Sequence, residues 1–551
     1  MDIYTFSRIN RFRKIIFTLL KYGFEDILAR LDLPEKVFPK RIKRYIVPKS
    51  TTWERIRFIL EELGPTFIKL GQILSLRVDL LPFDLIKELS KLQDEVPYEE
   101  FEVIKKEMEK TYKRPVEEIF SHIDPVPVAA ASIAQVHRGV LKKDNRDVAI
   151  KIQRPNIKQI IRIDLSILEN LAKRVHEKIE FLKPYNLPEL VDEIKKMFFQ
   201  ELNFTKEAKN ILLAKKAFKD NPKIYLPEVY LEFSSSNILV MEYIEGKSLK
   251  EIKDQDKDFK KEIAKICVEA IVKQMLVDGF FHADPHPGNI LITKDKKVCF
   301  LDWGIIGRLT EADRLKISSL LDGIIKKDGE IILTSLLSLS QDIVSLDKDL
   351  LLKDVMEILD YYYILSLRDI NLVDMVKELV QTIKEHNLKV RIDLSMMFKS
   401  LITLDGTTRT LYPDINLIEE FSPYVKRLLL RKYRPDVIYK HLRHSMYNIW
   451  QFQKKVPFQI TDLLSKLEKD NLTIVLEHKR LENLIKSIER SANKLTLGVV
   501  IGAMVIASSM IITTGVKPLL FGYSALGLGG YVLSALLGFW LIISIIKSKK
   551  M

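Results

Sequence analysis

Charge disappears from this chain over two long stretches at its C-terminal end, and no other feature restricts its architecture as much. Residues 495–516 (LTLGVVIGAMVIASSMIITTGV) run for 22 positions without a charged side chain, and residues 518–546 for another 29. About 20 apolar residues in a helix cross the hydrocarbon of a bilayer, so each run is long enough to span one. Gly498, Gly502 and Ala503 keep one side of the first span narrow, which suits close packing against a second helix. Between the spans, Lys517-Pro518 and the glycine-rich GYSALGLGG that follows (522–530) are expected to form a tight turn. Lys486, Arg490 and Lys494 precede the first span and Lys547, Lys549 and Lys550 follow the second, whereas Lys517 alone marks the turn. The positive-inside bias therefore predicts a multi-pass hairpin in the cytoplasmic (inner) membrane, both ends and the large N-terminal body being cytoplasmic. A buried hairpin in a soluble core is the alternative. Arg8, Arg11, Arg13 and Lys14 interrupt any apolar run near the N-terminus, so no secretory signal is expected there.

A chain of 551 residues exceeds what one hydrophobic core organises, so several structural units are expected. Hydrophobic residues at 47% and charged residues at 29% exclude a disordered or collagen-like chain. The net charge of +14 points to an anionic partner: nucleotide, nucleic acid or membrane surface. The sequence has neither zinc-finger spacing nor an RRM aromatic signature, which argues against nucleic acid. Cys267 and Cys299 lack CxxC spacing and a histidine cluster, and read as small buried hydrophobes. Residues 1–60 carry 14 basic and 6 acidic side chains, with Ile9, Phe12, Ile16 and Leu19 at helical spacing among them. An amphipathic helix lying on anionic lipid fits this pattern, and a basic helix packed on its own protein fits it equally well. A second basic stretch, KRLLLRKYR at 426–434, suits the same lipid surface.

Residues 281–304, FHADPHPGNILITKDKKVCFLDWG, carry the chemistry. Two short apolar strands, 290–293 and 298–301, are joined by the turn KDKK, so a hairpin would return Asp302 beside Asn289. Two oxygen ligands facing one space are what Mg²⁺ bridging nucleotide phosphates requires. Asp284, five residues before Asn289, is placed to orient or accept the proton of an attacking hydroxyl. The order D-x-x-x-x-N followed by D-x-G matches the catalytic and metal loops of protein kinases, with Trp303 in place of the usual Phe. Upstream, Val148-Ala149-Ile150-Lys151 reads as the V-A-I-K strand whose lysine grips the α- and β-phosphates. PVPVAAASIAQVHRGVL (125–141) stands where kinases carry a glycine-rich loop, with Ala129, Ala130 and Ala131 in place of glycines, ahead of Ser132 and Val136. An alanine Cβ makes positive φ costly and changes how the backbone approaches phosphate. In ILVMEYIEG (238–246), the backbone groups of Glu242 and Ile244 are the candidates for the adenine edge. His282 and His286, separated by prolines, do not share a regular helix and make a poor zinc pair, so His282 is expected to bond the loop backbone.

Over roughly residues 45–440 the chain resembles the UbiB (AarF) atypical kinase-like family, which includes coenzyme Q biosynthesis kinases. Lys69-Leu70-Gly71-Gln72 matches its K-x-G-Q signature, Ala129 to Ser132 its alanine-rich loop, Glu201-Leu202-Asn203 its E-x-D segment, and HADPHPGN with LDWG its catalytic pair. One position departs: Asn203 stands where the family has Asp, removing a charge beside the K-x-G-Q contact. The resemblance makes Glu207 the partner of Lys151 and turns Glu201 toward Lys69. Spacing agrees, since 204, 207 and 211 share one helix face and 201 points away from it. The resemblance also implies that the K-x-G-Q extension, with Lys69, Gly71, Gln72 and Glu201 as its regulatory contacts, covers the place of a peptide substrate. That favours ATP hydrolysis or small-molecule phosphorylation.

The expected architecture is α+β: a two-lobed protein-kinase-like fold with a helical N-terminal extension and a C-terminal transmembrane hairpin. Its expected parts are a basic arm (1–44), the helical extension (45–120), an N-lobe (121–244), a C-lobe (245–440), a juxtamembrane helical region (441–494) and the hairpin (495–551). The expected function is a membrane-anchored atypical kinase or ATPase that binds ATP or ADP with Mg²⁺ and supports isoprenoid quinone (ubiquinone) biosynthesis. Its expected partners are anionic lipid, quinone precursors, quinone-biosynthesis enzymes and a second copy of the chain. A protein kinase acting on those enzymes, an aminoglycoside- or choline-type phosphotransferase, and a non-catalytic nucleotide- or lipid-binding scaffold are the competing classes. KLGQ, the alanine loop and the hairpin argue against the phosphotransferase, and intact Lys151, Asp284, Asn289 and Asp302 argue against the scaffold.

Overall fold

The computed structural model describes residues 3–31, 50–92, 97–249, 251–252, 254–341, 346–363, 371–386, 388–431, 446, 481–514, 517–521 and 523–548. The chain divides into two compact units, residues 1–441 and 442–551. Most of the juxtamembrane region expected at 441–494, and the end of the basic stretch at 426–434, lie outside the described residues.

In the first unit, α1 (Ile3–Lys21) is followed by α2 (Thr52–Leu63), α3 (Pro65–Ser75) and α4 (Phe83–Leu89). Thr51 caps α2 in a capping box with Glu54, and Gly64 adopts φ +92° between α2 and α3, a conformation that glycine alone enters cheaply. Helix α5 (Phe101–Tyr112) then leads into strands β1 (Phe120–Ile123), β2 (Ala129–Ala130), β3 (Ala134–Leu141) and β4 (Asp147–Gln153). Helices α6 (Ile157–Lys178), α7 (Leu187–Glu201) and α8 (Phe204–Ala217) follow, then β5 (Ile224–Tyr225) and β6 (Ile238–Glu242). A five-stranded antiparallel sheet runs β1-β3-β4-β6, with β2 paired to β3. Alternation along β4 decides its faces: Val148, Ile150 and Ile152 join Ile104 and Met108 of α5 in one small core, and Ala149 and Lys151 face the other way.

The larger part holds β7 (Gly246–Ser248), α9 (Lys257–Val272), β8 (Phe280–His282), β9 (Ile290–Thr293), β10 (Val298–Phe300) and β11 (Ile306–Arg308). Helices α10 (Glu311–Lys326), α11 (Gly329–Leu339), α12 (Lys348–Tyr363), α13 (Leu372–Glu385), α14 (Ile392–Arg409) and α15 (Leu417–Arg431) complete it. The K-x-G-Q helices and this helical part share one continuous core.

The apolar stripe of α1 is used on the protein itself, which corrects the interfacial-helix reading. Ile16 is buried, Phe12 and Leu19 pack against the core, and only Ile9 of the four stays exposed. Arg11 explains the docking: its guanidinium grips both oxygens of the fully buried Asp164 at 2.6 and 2.8 Å and reaches the Leu63 carbonyl at 3.0 Å.

The second unit contains α16 (Leu481–Thr513) and α17 (Ala525–Ser548), each long and apolar enough to cross a membrane by length and composition. The turn between them is shorter than the glycines suggested, because α17 starts at Ala525 and takes Gly527 to Gly530 into the helix. The close approach also falls elsewhere. A Cβ at Gly527 would meet Ile512 at 2.5 Å and one at Gly530 would meet Ser508 at 2.1 Å, whereas Gly498 and Gly502 have nothing within 4 Å. Glycines in α17, not in α16, make the helix contact.

A candidate phosphate-binding site

Two segments distant in sequence, α8 and the loop after β10, converge on Lys151 of β4. Its Nζ lies 2.7 and 2.9 Å from the two carboxylate oxygens of Glu207 and 3.3 Å from Asp302 Oδ1. Glu207 reaches it because Phe204, Glu207 and Ile211 form the buried face of α8. Burial alone would lower the Lys151 pKa, but Asp302 and Glu207 outweigh it and hold the ammonium above the ordinary lysine range. Burial would likewise raise Asp302, yet Lys151, Lys69 and His282 keep its carboxyl well below the usual carboxylate range. Glu207 faces burial as well as a second acid, so it is pushed up to about 7 although Lys151 opposes that. A cation gripped by the buried Glu207 carboxylate, with Asp302 open to solvent on its other side, is a strongly charged socket whose net sign an incoming divalent ion would balance.

The hairpin that carries Asp302 pairs Phe300 with Ile290, and the Leu301 N–H donates to the Asn289 carbonyl at 2.8 Å. Asn289 and Asp302 therefore leave adjacent strand ends side by side. Asp302 takes φ +52°, a left-handed conformation that an Asp tolerates, and its Oδ1 accepts from Gly304 N–H at 3.2 Å. Asn289 donates its amide to the Asp284 carbonyl at 3.3 Å, which braces the catalytic loop across its own width. One carboxylate and one amide oxygen make a hard donor pair of the kind Mg²⁺ takes alongside phosphate and water.

His282 holds the loop from inside. Its Nε2 lies 2.9 Å from the Leu301 carbonyl and its Nδ1 accepts from Asp284 N–H at 3.2 Å, which assigns the proton to Nε2. Both ring nitrogens are thus committed to backbone, and His286 is exposed and accepts from Gly288 N–H. Trp303 is buried, stacks on Phe280 at 5.8 Å, meets the His282 ring edge-on at 5.3 Å and donates to the Phe300 carbonyl at 3.0 Å. The larger indole thereby fills the space behind the metal loop and gains a hydrogen bond that a Phe would lack.

The alanines form strand rather than an open loop. Ala129 pairs with Val136, Ala130 with Gln135, and Ala131 N–H donates to the Ala134 carbonyl at 2.8 Å. Ala131 also accepts from Arg154 Nε at 3.0 Å, and Ser132 is buried. Val136 lies opposite Lys151 on the next strand. At the end of β6 the Glu242 N–H already donates to the Glu228 carbonyl at 2.8 Å, and the Glu242 carboxylate accepts from Tyr225 OH at 2.8 and 3.0 Å. The Glu242 N–H is therefore not available to adenine, which corrects that part of the sequence reading; its carbonyl and the groups of Ile244 remain candidates.

Residues 91–336 match the family model described as the ABC1 atypical kinase-like domain, 355–416 the UbiB helical domain, and 479–547 the ABC1/UbiB kinase-like C-terminal domain. The chain is 32% identical to the "Uncharacterized protein in hydrogenase 1 5'region" of Clostridium pasteurianum, over 98% of this chain and 99% of that one. It is 30% identical to the "Probable protein kinase UbiB" of Pseudomonas aeruginosa strain UCBPP-PA14 over 82% of this chain and 86% of that one. The protein of the same name in Cellvibrio japonicus is 30% identical over 83% and 84%. The chain belongs to the ABC1/UbiB atypical kinase-like family. Its fold is kinase-like, with mixed helices and sheets and two apolar C-terminal helices.

The K-x-G-Q segment of this ABC1/UbiB chain lies on α3. Lys69 forms an ion pair with Glu201 at 2.8 Å and is close enough to Asp302 to lower its pKa. Gly71 faces Leu60, Leu89 and Leu92, and Gln72 donates to the Leu92 carbonyl at 3.3 Å, so these two fasten the helix while Lys69 enters the site. Asn203 caps α8, its Oδ1 accepting from Thr205 N–H at 3.2 Å. An Asp there would cap as well, so the departure alters charge and keeps the geometry. Sequence reading missed α14, which reaches the catalytic loop from more than a hundred residues downstream: Ser400 donates to the His282 carbonyl at 2.9 Å and Thr407 to the Pro285 carbonyl at 3.2 Å. The only trace in sequence is a set of polar residues on an otherwise buried helix.

Proposed function

We propose that this protein is a membrane-anchored atypical kinase or ATPase that binds ATP or ADP with Mg²⁺ and supports isoprenoid quinone (ubiquinone) biosynthesis at the cytoplasmic face of the inner membrane. The Lys151–Glu207–Asp302 cluster, in which Glu207 is buried and Asp302 faces solvent, carries the nucleotide part of this reading. Lys151, oriented by Glu207, would hold the α- and β-phosphates, and Asn289 and Asp302 would hold the metal. Bound Mg²⁺ supplies positive charge to the phosphate oxygens. Asp284 orients the attacking hydroxyl or water and receives its proton. The charge of Lys69, which helps to lower the Asp302 pKa, supports reading the extension as a cover for the phosphate end of the site, and such a cover favours hydrolysis or a small acceptor over a peptide. The quinone process rests on resemblance to proteins named UbiB, and the anchor on the two apolar helices. The name "Probable protein kinase" of those relatives supports a second reading, phosphorylation of quinone-biosynthesis enzymes.

The test is thermal unfolding with and without Mg-ATP or Mg-ADP, then phosphate release in anionic liposomes with and without a quinone-precursor phenol. Asp302→Asn should keep the fold and lose the Mg-dependent stabilisation, since each ligand of such a clamp contributes several kcal/mol of charge stabilisation. Equal stabilisation of wild type and variant would sink the site assignment, and rapid phosphorylation of generic peptides would favour the second reading.

A further inference from the structure

Helix α14 sends a row of polar side chains inward. Ser395 donates to Asp79 Oδ1 at 2.7 Å and Lys399 Nζ to Ser90 Oγ at 2.6 Å, while Ser400 and Thr407 hold the carbonyls of His282 and Pro285. Asp79 and Ser90 belong to the K-x-G-Q extension; His282 and Pro285 flank Asp284. Lys399 sits where these two sets of contacts meet. It is 7% exposed, and among the described residues no carboxylate lies within ion-pair distance of its amine. A buried ammonium with a hydroxyl as its partner is poorly compensated unless an anion stands near. The geometry offers Asp284: Ser400, the residue after Lys399, holds the carbonyl of His282, whose ring accepts from the Asp284 N–H, and the Asp284 charge acts against the fall that burial imposes on the Lys399 pKa. Ser90 is set up as an acceptor, because its own proton goes to the Ile86 carbonyl at 2.8 Å.

We propose that Lys399 is a positioning residue for Asp284 and couples it to the K-x-G-Q extension. With the amine on Ser90 the cation is held back from the catalytic carboxylate. When the extension shifts and Ser90 leaves, the amine turns to Asp284 and fixes its orientation. An ammonium on a four-carbon stem can make this exchange by rotamer changes alone. The inference deepens the proposed nucleotide chemistry and rests on it for its turnover measurements only.

The experiment uses the full chain in phosphatidylglycerol-containing liposomes, with Lys399→Met, Lys399→Arg, Ser90→Ala, Asp284→Asn and the Lys399→Met/Asp284→Asn double variant. Without nucleotide, the Tm loss of the double variant should differ clearly from the sum of the two single losses, as expected for two charges that act on each other through a poorly solvated interior even without an ion pair. Lys399→Met should lower the kcat for ATP about ten- to a hundredfold, the size of a misplaced catalytic group, with the KM changed less than about twofold. Lys399→Arg should recover part of that loss, and Ser90→Ala, which frees the amine, should raise turnover. Additive Tm losses overturn the proposal, and so does a Ser90→Ala variant that loses turnover. Where Lys399→Met fails to fold, Ser90→Ala and Lys399→Arg still decide it. A wild type without ATP turnover counts against the proposed function alone, because the nucleotide-free Tm cycle still tests the Lys399–Asp284 coupling.

Discussion

At the scale of single residues, Gly71 sets how close the extension comes to the site. Its backbone is ordinary helix, so the need for glycine is steric: a Cβ would stand 2.2 Å from Leu92 Cδ1, 2.9 Å from Leu60 Cδ1 and 3.3 Å from Leu89 Cδ2. All three leucines are buried and cannot move aside together. Gly71→Ala gains about 1 kcal/mol of helix propensity but meets an overpacking cost of about 1–3 kcal/mol. The expected result is a lower Tm together with altered ATP turnover, since α3 also carries Lys69 to Glu201. A Gly71→Ala protein more stable than wild type would contradict this packing. Residue identities near the phosphates were legible because spacing alone puts Glu207 and Ile211 on one face of α8 and returns Asp302 to Asn289. Lys399 was not legible, because its significance comes from Ser90 and the loop around Asp284, which only tertiary packing brings to it. The hydrogen bond of the Glu242 N–H was hidden for the same reason: its acceptor, the Glu228 carbonyl, lies on a separate segment.

At the scale of elements, α1 and α17 show where periodicity stops being decisive. The stripe of α1 is apolar whether it faces lipid or protein, and what settles the matter is Arg11 meeting Asp164 on α6. Removing the cation leaves a carboxylate of zero exposure unpaired. Arg11→Met should therefore cost about 3–5 kcal/mol and loosen α1 from α2 and α6, read as faster hydrogen exchange over residues 3–21. The double variant Arg11→Met/Asp164→Leu should recover much of that loss, since an apolar pair of similar volume replaces a buried ion pair without penalty. Single and double variants that unfold alike would show that Arg11 is an ordinary surface contact. In α17 the glycines looked like a turn because glycine weakens an isolated helix, yet Gly527 and Gly530 are where α16 comes closest. Small residues favour helix contact once a neighbour is present, and local sequence does not contain the neighbour.

At the scale of the whole molecule, the two compact units separate tasks. Every residue assigned to phosphate, metal or catalytic loop lies in residues 1–441, and both spanning-length helices lie in residues 442–551. A chain ending at His441 should therefore be soluble and keep its Mg-nucleotide stabilisation. Its remaining attraction to anionic lipid can be specified further, because the apolar face of α1 is covered and Arg13 and Lys14 stay exposed. What is left is charge without insertion, about 1 kcal/mol per Lys or Arg at the membrane surface. Screening shortens its range from about 10 Å at 0.1 M salt to about 3 Å at 1 M. Co-sedimentation with phosphatidylglycerol vesicles should thus be weak at low salt and vanish at high salt, while neutral vesicles bring down nothing. Binding that survives 1 M salt would mean that α1 leaves Asp164 and inserts its stripe after all. Failure to bind at low salt would remove the lipid surface from the proposed partners and leave the hairpin as the sole route to a membrane.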